Sequence, residues 1–321
     1  MSVTSIDSVD FPKPSKVDAG LSWQDRRIAG LSRFAIAITT LNVLGHLFLG
    51  FEQSWATPFV ALLATYGTEL FLEIISAREE GRRPKFIGSA KVFVQFLLSA
   101  HVTGLAIGML LMPLEQLWVI AFAGALAIAS KRLFQVAIDS RKRHFLNPSN
   151  FGITVALLLF PTVGIAPPYQ FTEATSGIVD ILLPLLIIGT GSLLNLKLTG
   201  RMPLLLVWVG AFTLQAVVRA YWNDTSIVAG LVPMTGFAFI LFTFYMITDP
   251  ATTPSNPRSQ WVFGASVALL YGLFMELHIV FGMFYSLTLV TALRGMWVAM
   301  GNPLLAARRR LLAGQFVEPG E

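Results

Sequence analysis

Ten long apolar segments run through this chain, and nearly every cationic side chain falls on one side of them. The segments lie near 28–50, 55–76, 91–112, 115–133, 150–166, 178–196, 203–221, 227–247, 261–275 and 277–298. Of the 23 Lys and Arg, only Arg219 falls toward the side opposite both termini. The other charged residues on that side are acidic: Glu52, Glu115, Glu173, Asp224 and Glu276. Lys and Arg are costly to translocate and pair with anionic lipid, so they collect in cytoplasmic loops. One pattern therefore sets span count and orientation together. It predicts an all-α, polytopic membrane protein of about ten transmembrane helices, with both ends in the cytoplasm.

The composition agrees. The 321 residues are 55% hydrophobic and only 13% charged, with a mean hydropathy of +0.67, whereas soluble domains are roughly 25% charged. A helix needs about 20 apolar residues to cross the hydrocarbon, so ten spans leave no room among them for a soluble catalytic domain. The net charge of +5 sits in short loops between spans. That placement favours the membrane surface and excludes nucleic acid as the partner. Cysteine is absent, which excludes disulfides, thiolate metal sites and cysteine-ligated clusters. Residues 1–27, with Lys13 and Lys16 but no apolar core, read as a cytoplasmic tail rather than a signal peptide. Residues 299–321, with Arg308, Arg309 and Arg310, read as a basic tail lying against the same leaflet.

Ten spans divide into a first half at 28–166 and a second at 178–298, joined by an extracytoplasmic loop at 167–177. The first half starts inside and ends outside; the second does the opposite. Two five-helix halves of inverted orientation follow, with a site expected at their interface. The third span of each half carries a small residue beside a hydroxyl: His101-Val-Thr103-Gly104 and Pro233-Met-Thr235-Gly236. Such pairs let helices approach and supply a hydrogen-bonding group. Thr103 and Thr235 are thus candidates for a midplane pathway, against the plainer alternative of close packing. The short segments at 150–166 and 261–275 suggest broken or re-entrant helices.

Glu69 and Glu73 stand one turn apart inside the second span and so share a face. Intramembrane carboxylates face a cavity, a partner or an ion path. Both are candidates for cation or proton handling; the alternative is a paired, structural acid, with Glu73 reaching the cytoplasmic interface toward Arg78. His46, Gln95 and His101 read as interhelical hydrogen-bonding groups, since the four His residues show no metal or haem spacing. In HFLNPSNFG at 144–152, Asn147 precedes Pro148, which ends extended chain and begins a helix. Asn147, Ser149 and Asn150 are N-capping types. With Arg141, Lys142, Arg143 and His144 just upstream, they form an anion-receptive spot for a phosphate or a lipid headgroup. In the segment from Thr248 to Pro254, Asp249 caps a turn or binds a cation.

The stretch KRLFQVAIDSRKRHFLNPSNFGITVALLLFP at 131–161 resembles the NqrB/RnfD family, membrane subunits of sodium-pumping quinone reductases and Rnf electron-transport complexes. FYMITDPATTPSNPRSQWVFG at 244–264 resembles the same family's Thr-Asp-Pro-x-Thr-x-Pro segment. The resemblance covers roughly residues 30–300. It implies a ten-helix inverted fold in a bacterial inner membrane, and makes Asn147, Asn150, Asp249 and Thr252 candidate cofactor-binding residues. It further implies FMN esterified through its phosphate to a Thr on the extracytoplasmic side, within a Ser-Gly-Ala-Thr motif. The matching place is Thr172-Glu173-Ala174-Thr175, with Thr175 as acceptor. Thr172 stands where the family has Ser, Glu173 where it has Gly, and the upstream acid is missing. Within the family the texture is most similar to UnbU-type membrane proteins of enediyne antibiotic clusters.

Three functions follow. One is a flavin-carrying subunit that passes electrons, coupled to cation movement and completed by other electron-transport subunits. Another is a transporter or channel for a small solute or natural product, without covalent flavin. The third is a scaffold that anchors soluble biosynthetic partners by its basic loops. No nucleophile–base–orienter set lies on an aqueous face, which argues against a freestanding hydrolase or transferase.

Overall fold

The computed structural model describes residues 23–138 and 141–314. The tails at 1–22 and 315–321, with Lys13 and Lys16, and the side chains of Arg141, Arg308, Arg309 and Arg310 lie outside the described residues. Helix α1 (Trp23–Leu44) runs on through a π-helical turn, Gly45–Leu49. Then come α2 (Ala56–Glu79), α3 (Ala90–Leu110), α4 (Leu117–Leu133) and α5 (Pro148–Leu159). Helix α6 (Val179–Leu194) also ends in a π turn, Asn195–Thr199, and is followed by α7 (Met202–Trp222). Helix α8 (Ile227–Leu231) tightens into a 3-10 turn to Thr235, and α9 (Phe237–Leu241) widens into a third π turn to Met246. Helices α10 (Pro257–Glu276) and α11 (Gly282–Gly314) complete the described chain.

Six stretches have both the length and the hydropathy to cross a bilayer: Ile28–Leu49, Ala56–Glu79, Ala90–Leu110, Val179–Lys197, Met202–Trp222 and Gly282–Gly301. A seventh arises if Ile227–Thr235 and Phe237–Met246, bent by 68° at Gly236, count as one broken span. Their outward faces are greasy. On α2, Phe59, Leu63 and Phe71 are all more than 60% exposed, while Thr57, Thr65 and Glu73 are wholly buried. Water would not tolerate that distribution over so many helices; hydrocarbon requires it. The chain is a multi-pass integral membrane protein.

The remaining helices do not meet both tests, so the ten expected spans are not all shown; α10 has the length, 20 residues, but not the hydropathy. Helix α4 has 17 residues and α5 only 12, or about 25 and 18 Å against a hydrocarbon core of about 30 Å. The fifth span was expected to reach residue 166. It stops at Leu159 because Phe160 precedes Pro161 and is driven out of the helical region. The chain then runs extended, and Gly164–Ile165 (β4) pairs antiparallel with Leu111–Met112 (β1) at the end of α3. A second two-stranded ladder joins Gln135–Ile138 (β2) to Arg141–His144 (β3), so the basic connection before α5 is a hairpin within a mostly helical fold. Helix α11 continues as helix well past residue 298, the end expected for the last span.

Two seams organise the packing: α2 against α4, and α7 against α10. A glycine sets the approach in α5 and in α10. A Cβ on Gly152 would lie 2.4 Å from the Ala123 carbonyl oxygen, and one on Gly264 would lie 2.9 Å from that of Leu204. Around the α7–α10 seam sits an aromatic core of Trp208, Phe212, Phe239, Phe242, Tyr271 and Phe284. The Trp208 indole N–H is matched within it, donating to Thr243 Oγ1 at 2.9 Å. The π turns after α1 and α6 close alike. Gly50 (φ 78°) and Gly200 (φ 64°) adopt the left-handed conformation, and the next N–H, of Phe51 or Arg201, returns to the carbonyl of Gly45 or Asn195. Gly152→Ala should destabilise the fold by about 1–3 kcal/mol, since the blocking atom is backbone. Gly210→Ala, where nothing lies within 4 Å, should leave the unfolding temperature in detergent unchanged.

Candidate functional site

The two motifs singled out in the sequence meet at one end of the bundle, the end that carries the basic loops. Asn147 caps α5, its Oδ1 accepting from the Asn150 N–H and from Ser149 Oγ, both at 3.0 Å. The other side of the same amide reaches across the fold: Nδ2 donates to the Met246 carbonyl at 3.2 Å and to Asp249 Oδ2 at 3.5 Å. Asn150 Nδ2 donates to Thr288 Oγ1 at 2.7 Å and to the Phe284 carbonyl at 3.0 Å, tying α5 to α11. Thr252 Oγ1 donates to Asp249 Oδ2 at 3.0 Å. Asn147, Asn150, Asp249 and Thr252 thus belong to one polar cluster, in which Asn150 Oδ1 is sealed from solvent without a donor.

Two arginines hold the loop that bears Asp249. Arg201, at the head of α7 and 5% exposed, donates from Nε to Thr253 Oγ1 at 3.0 Å. Its Nη2 donates to the carbonyls of Pro250 (3.3 Å) and Thr253 (3.4 Å). Arg294 of α11 donates from Nη1 to the Thr252 carbonyl at 3.0 Å. Burial pushes the Arg201 guanidinium down to about 10, with Asp249 opposing the shift and Arg294 adding to it. It remains charged at neutral pH.

Glu69 and Glu73 lie apart from this cluster, on the α2–α4 seam. Glu69 Oε2 accepts from Lys131 Nζ at 3.0 Å, and the same ammonium donates to Ser99 Oγ at 3.2 Å. Glu73, fully buried, is enclosed by two guanidiniums, with Arg132 Nη2 at 3.2 Å and Arg82 beside it, and accepts from the Lys85 backbone N–H at 2.9 Å. Successive cations on α4 therefore match carboxylates one turn apart on α2. Both acids are paired.

The opposite end of the bundle carries Thr172 and Thr175. Phe171 is buried there, its ring stacked on Phe237 (centroids 4.5 Å) and edge-on to Phe51 (4.8 Å). Thr172 Oγ1 turns back to the Tyr169 carbonyl at 3.1 Å. Thr175 Oγ1 donates to Asp180 Oδ1 at the start of α6. Glu173 is exposed, and its neighbour Ala174 closes against Gly50. Thr235 stands at the break next to this loop, where the Phe237 N–H donates to the Pro168 carbonyl at 3.2 Å. The midplane candidates spend their hydroxyl hydrogens locally, Thr103 on the Ser99 carbonyl and Thr235 on that of Val232. His101 bridges three helices, from Thr39 (2.7 Å) to Tyr66 (2.6 Å). A surface groove of about 720 Å³, lined by Glu52, Gln53, Glu115 and Thr162 among others, includes none of the expected site residues.

Three contributors escaped the sequence. Arg201 and Arg294 counted there only as markers of sidedness; a lone cation immediately before a span or inside one was the available signal. Asp180 follows Thr175 rather than preceding it, and only a helical turn reveals the contact. Arg219, the one cation expected on the side opposite the termini, is paired with Glu276 (2.7 Å). Among the described residues no group of three or more His, Asp or Glu is placed to hold a metal ion. No protein-family model and no curated protein matches the chain.

Glu73→Gln removes the counter-charge of Arg132 and Arg82. It should cost about 2–3 kcal/mol, less than the about 3–5 of a fully buried pair because both guanidiniums reach water. Unfolding in detergent measures the loss, and adding Arg132→Met should recover part of it.

Proposed function

We propose that this protein is a bacterial inner-membrane subunit of the NqrB/RnfD kind, carrying FMN at Thr175 and serving membrane electron transport coupled to cation translocation. Two five-helix halves of inverted orientation would form it, with both termini cytoplasmic. The observation that carries this is the contact between the Thr175 hydroxyl and the Asp180 carboxylate on a turn anchored by Phe171. A hydroxyl is a poor nucleophile until a neighbouring base accepts its proton. Asp180 supplies in space the acid that the motif lacks upstream in sequence. Glu173, though it replaces a glycine, is exposed, so water and salt screen its charge from an incoming phosphate.

The residues present fit such a group. Thr175 Oγ1 would become the ester oxygen by displacing a nucleoside monophosphate from the pyrophosphate of a flavin dinucleotide, Asp180 would accept the hydroxyl proton, and Phe171 would hold the turn in place. FMN bound there would supply one- and two-electron transfer at the membrane surface. Support for the paired halves comes from the π turns closed by Gly50 and Gly200, and from the second helix packing on the fourth in each half, α2 on α4 and α7 on α10. Support for the family comes from the HFLNPSNFG and TDPATTP segments meeting through Asn147 and Asp249. Further electron-transport subunits would complete the path.

A transporter for a small solute or natural product is the second reading. It is favoured by the 68° break at Gly236, since discontinuous helices form substrate sites in transporters. Flux in proteoliposomes that weakens in Glu69→Gln and Thr235→Val is its mark.

Protein purified from its native host should be yellow, with a flavin-phosphate mass on the peptide containing Thr175. Thr175→Val should abolish the adduct, and Asp180→Asn should slow its formation by about a hundredfold or more, the usual loss for a missing general base. A colourless protein with an unmodified peptide overturns the assignment. A cytosolic signal from a reporter inserted near Tyr169 overturns the orientation.

A further inference from the structure

The loop from Asp249 to Thr253 is gripped by two guanidiniums, and the charges there do not cancel. Arg201 holds the Thr253 carbonyl and hydroxyl; Arg294 holds the adjacent Thr252 carbonyl. Adjacent carbonyls bring the two cations close together, on a loop whose residues Thr252 and Thr253 are buried. One carboxylate stands nearby. Asp249 is occupied by Thr252 Oγ1, the Ala251 N–H and Asn147 Nδ2. Among the described residues it lies beyond 4 Å from both arginines, and neither arginine forms an ion pair with any acid. Carbonyl oxygens satisfy guanidinium hydrogens but bring no negative charge, and a buried uncompensated cation is expensive.

The donor count leads to the same place. Arg201 uses Nε and Nη2 on the loop, and Arg294 uses Nη1. Among the described residues, Arg201 Nη1 and the Nε and Nη2 of Arg294 have no acceptor, and none of these atoms is sealed from solvent. Two planar forks with free edges on one loop suit a tetrahedral oxyanion, which takes paired N–H donors. Lys142 and Arg143 of the β2–β3 hairpin lie just upstream of Asn147, at the same end of the bundle, and add attraction from outside.

We propose that Arg201 and Arg294 form a binding site for a phosphate group at the basic end of the bundle. The group is borne either by a lipid headgroup in the adjoining leaflet or by a soluble phosphate. The site is independent of flavin at Thr175, which lies at the opposite end, so either assignment can fail alone.

The test uses the full chain, with thermal unfolding as the readout. Inorganic phosphate is compared with chloride at equal ionic strength in detergent. Nanodiscs of phosphatidylglycerol are compared with nanodiscs of phosphatidylcholine. Stabilisation by free phosphate assigns a soluble ligand; stabilisation by phosphatidylglycerol alone assigns the headgroup. Either response should weaken about tenfold or more in Arg294→Gln, the loss expected for charge-assisted bonds. It should strengthen in Asp249→Asn, which keeps an acceptor for the Ala251 N–H but removes the competing charge. A purely structural role for the arginines predicts no strengthening in Asp249→Asn. An equal response in wild type and Arg294→Gln, no strengthening in Asp249→Asn, or no anion response in either format overturns the proposal. If Arg294→Gln does not fold, Arg294→Lys retains the charge without the fork and must still weaken the response.

Discussion

Hydrocarbon offers no hydrogen-bond partner, so every polar group this chain carries into the bilayer must find one within the protein. That single constraint accounts for most of the internal contacts. Glu73 is enclosed by Arg82, Arg132 and a backbone N–H. His101 uses both ring nitrogens, on Thr39 and Tyr66. Thr65 on α2 and Thr103 on α3 return their hydroxyls to carbonyls of their own helices. The same constraint pushes the remaining charges to the two ends of the bundle, where pairing is incomplete and ligands can compete. Chemistry is therefore expected at the ends rather than in the middle, which is filled by Trp208 and its phenylalanine neighbours.

Hydropathy and charge placement revealed the class of fold because both report directly on transfer energies. They could not separate a span from an apolar segment enclosed by protein. The stretches containing α4 and α5 are apolar because other helices cover them, so hydropathy counts them alongside the lipid-facing helices. The end of α5 was legible in principle, since Phe160 before Pro161 is a helix stop that the apolar run through Val163 masked. The β2–β3 hairpin was not legible. Its sequence, Gln-Val-Ala-Ile followed by Arg-Lys-Arg-His, reads equally well as a frayed helix end and a basic loop until pairing fixes the register.

At the site, residue types told more than positions did. Asn147 before Pro148 announced its own cap, because that effect is local. Its second contact, to Met246 and Asp249, spans about a hundred residues and depends on how α9 packs against α5. The partners of Glu69 and Glu73 were open for the same reason. Only the α2–α4 seam decides that Lys131 and Arg132 face them, rather than Arg78 one turn along. Arg201 shows the limit most clearly. A cation just before a span looks like an ordinary topological signal, and its burial against Thr253 is a tertiary fact.

Two of the elements between the ends stop half-way. From Phe237 to Met246 the helical chain rises about 14 Å, roughly half of the hydrocarbon, and α5 covers little more. Both begin or end at the cluster around Asn147. Toward the other end the chain from Phe160 to Phe171 is non-helical. Among apolar helices such backbone survives only when protein satisfies it. Here Ala166 N–H reaches the Leu110 carbonyl, β4 pairs with β1, and the Pro168 carbonyl takes the Phe237 N–H. The Phe171–Phe237 stack closes the junction between the two materials. From Phe237 the helix and its π turn lead directly to the loop that bears Asp249, so this one aromatic contact joins the element that ends at the polar cluster to the turn that bears Thr175.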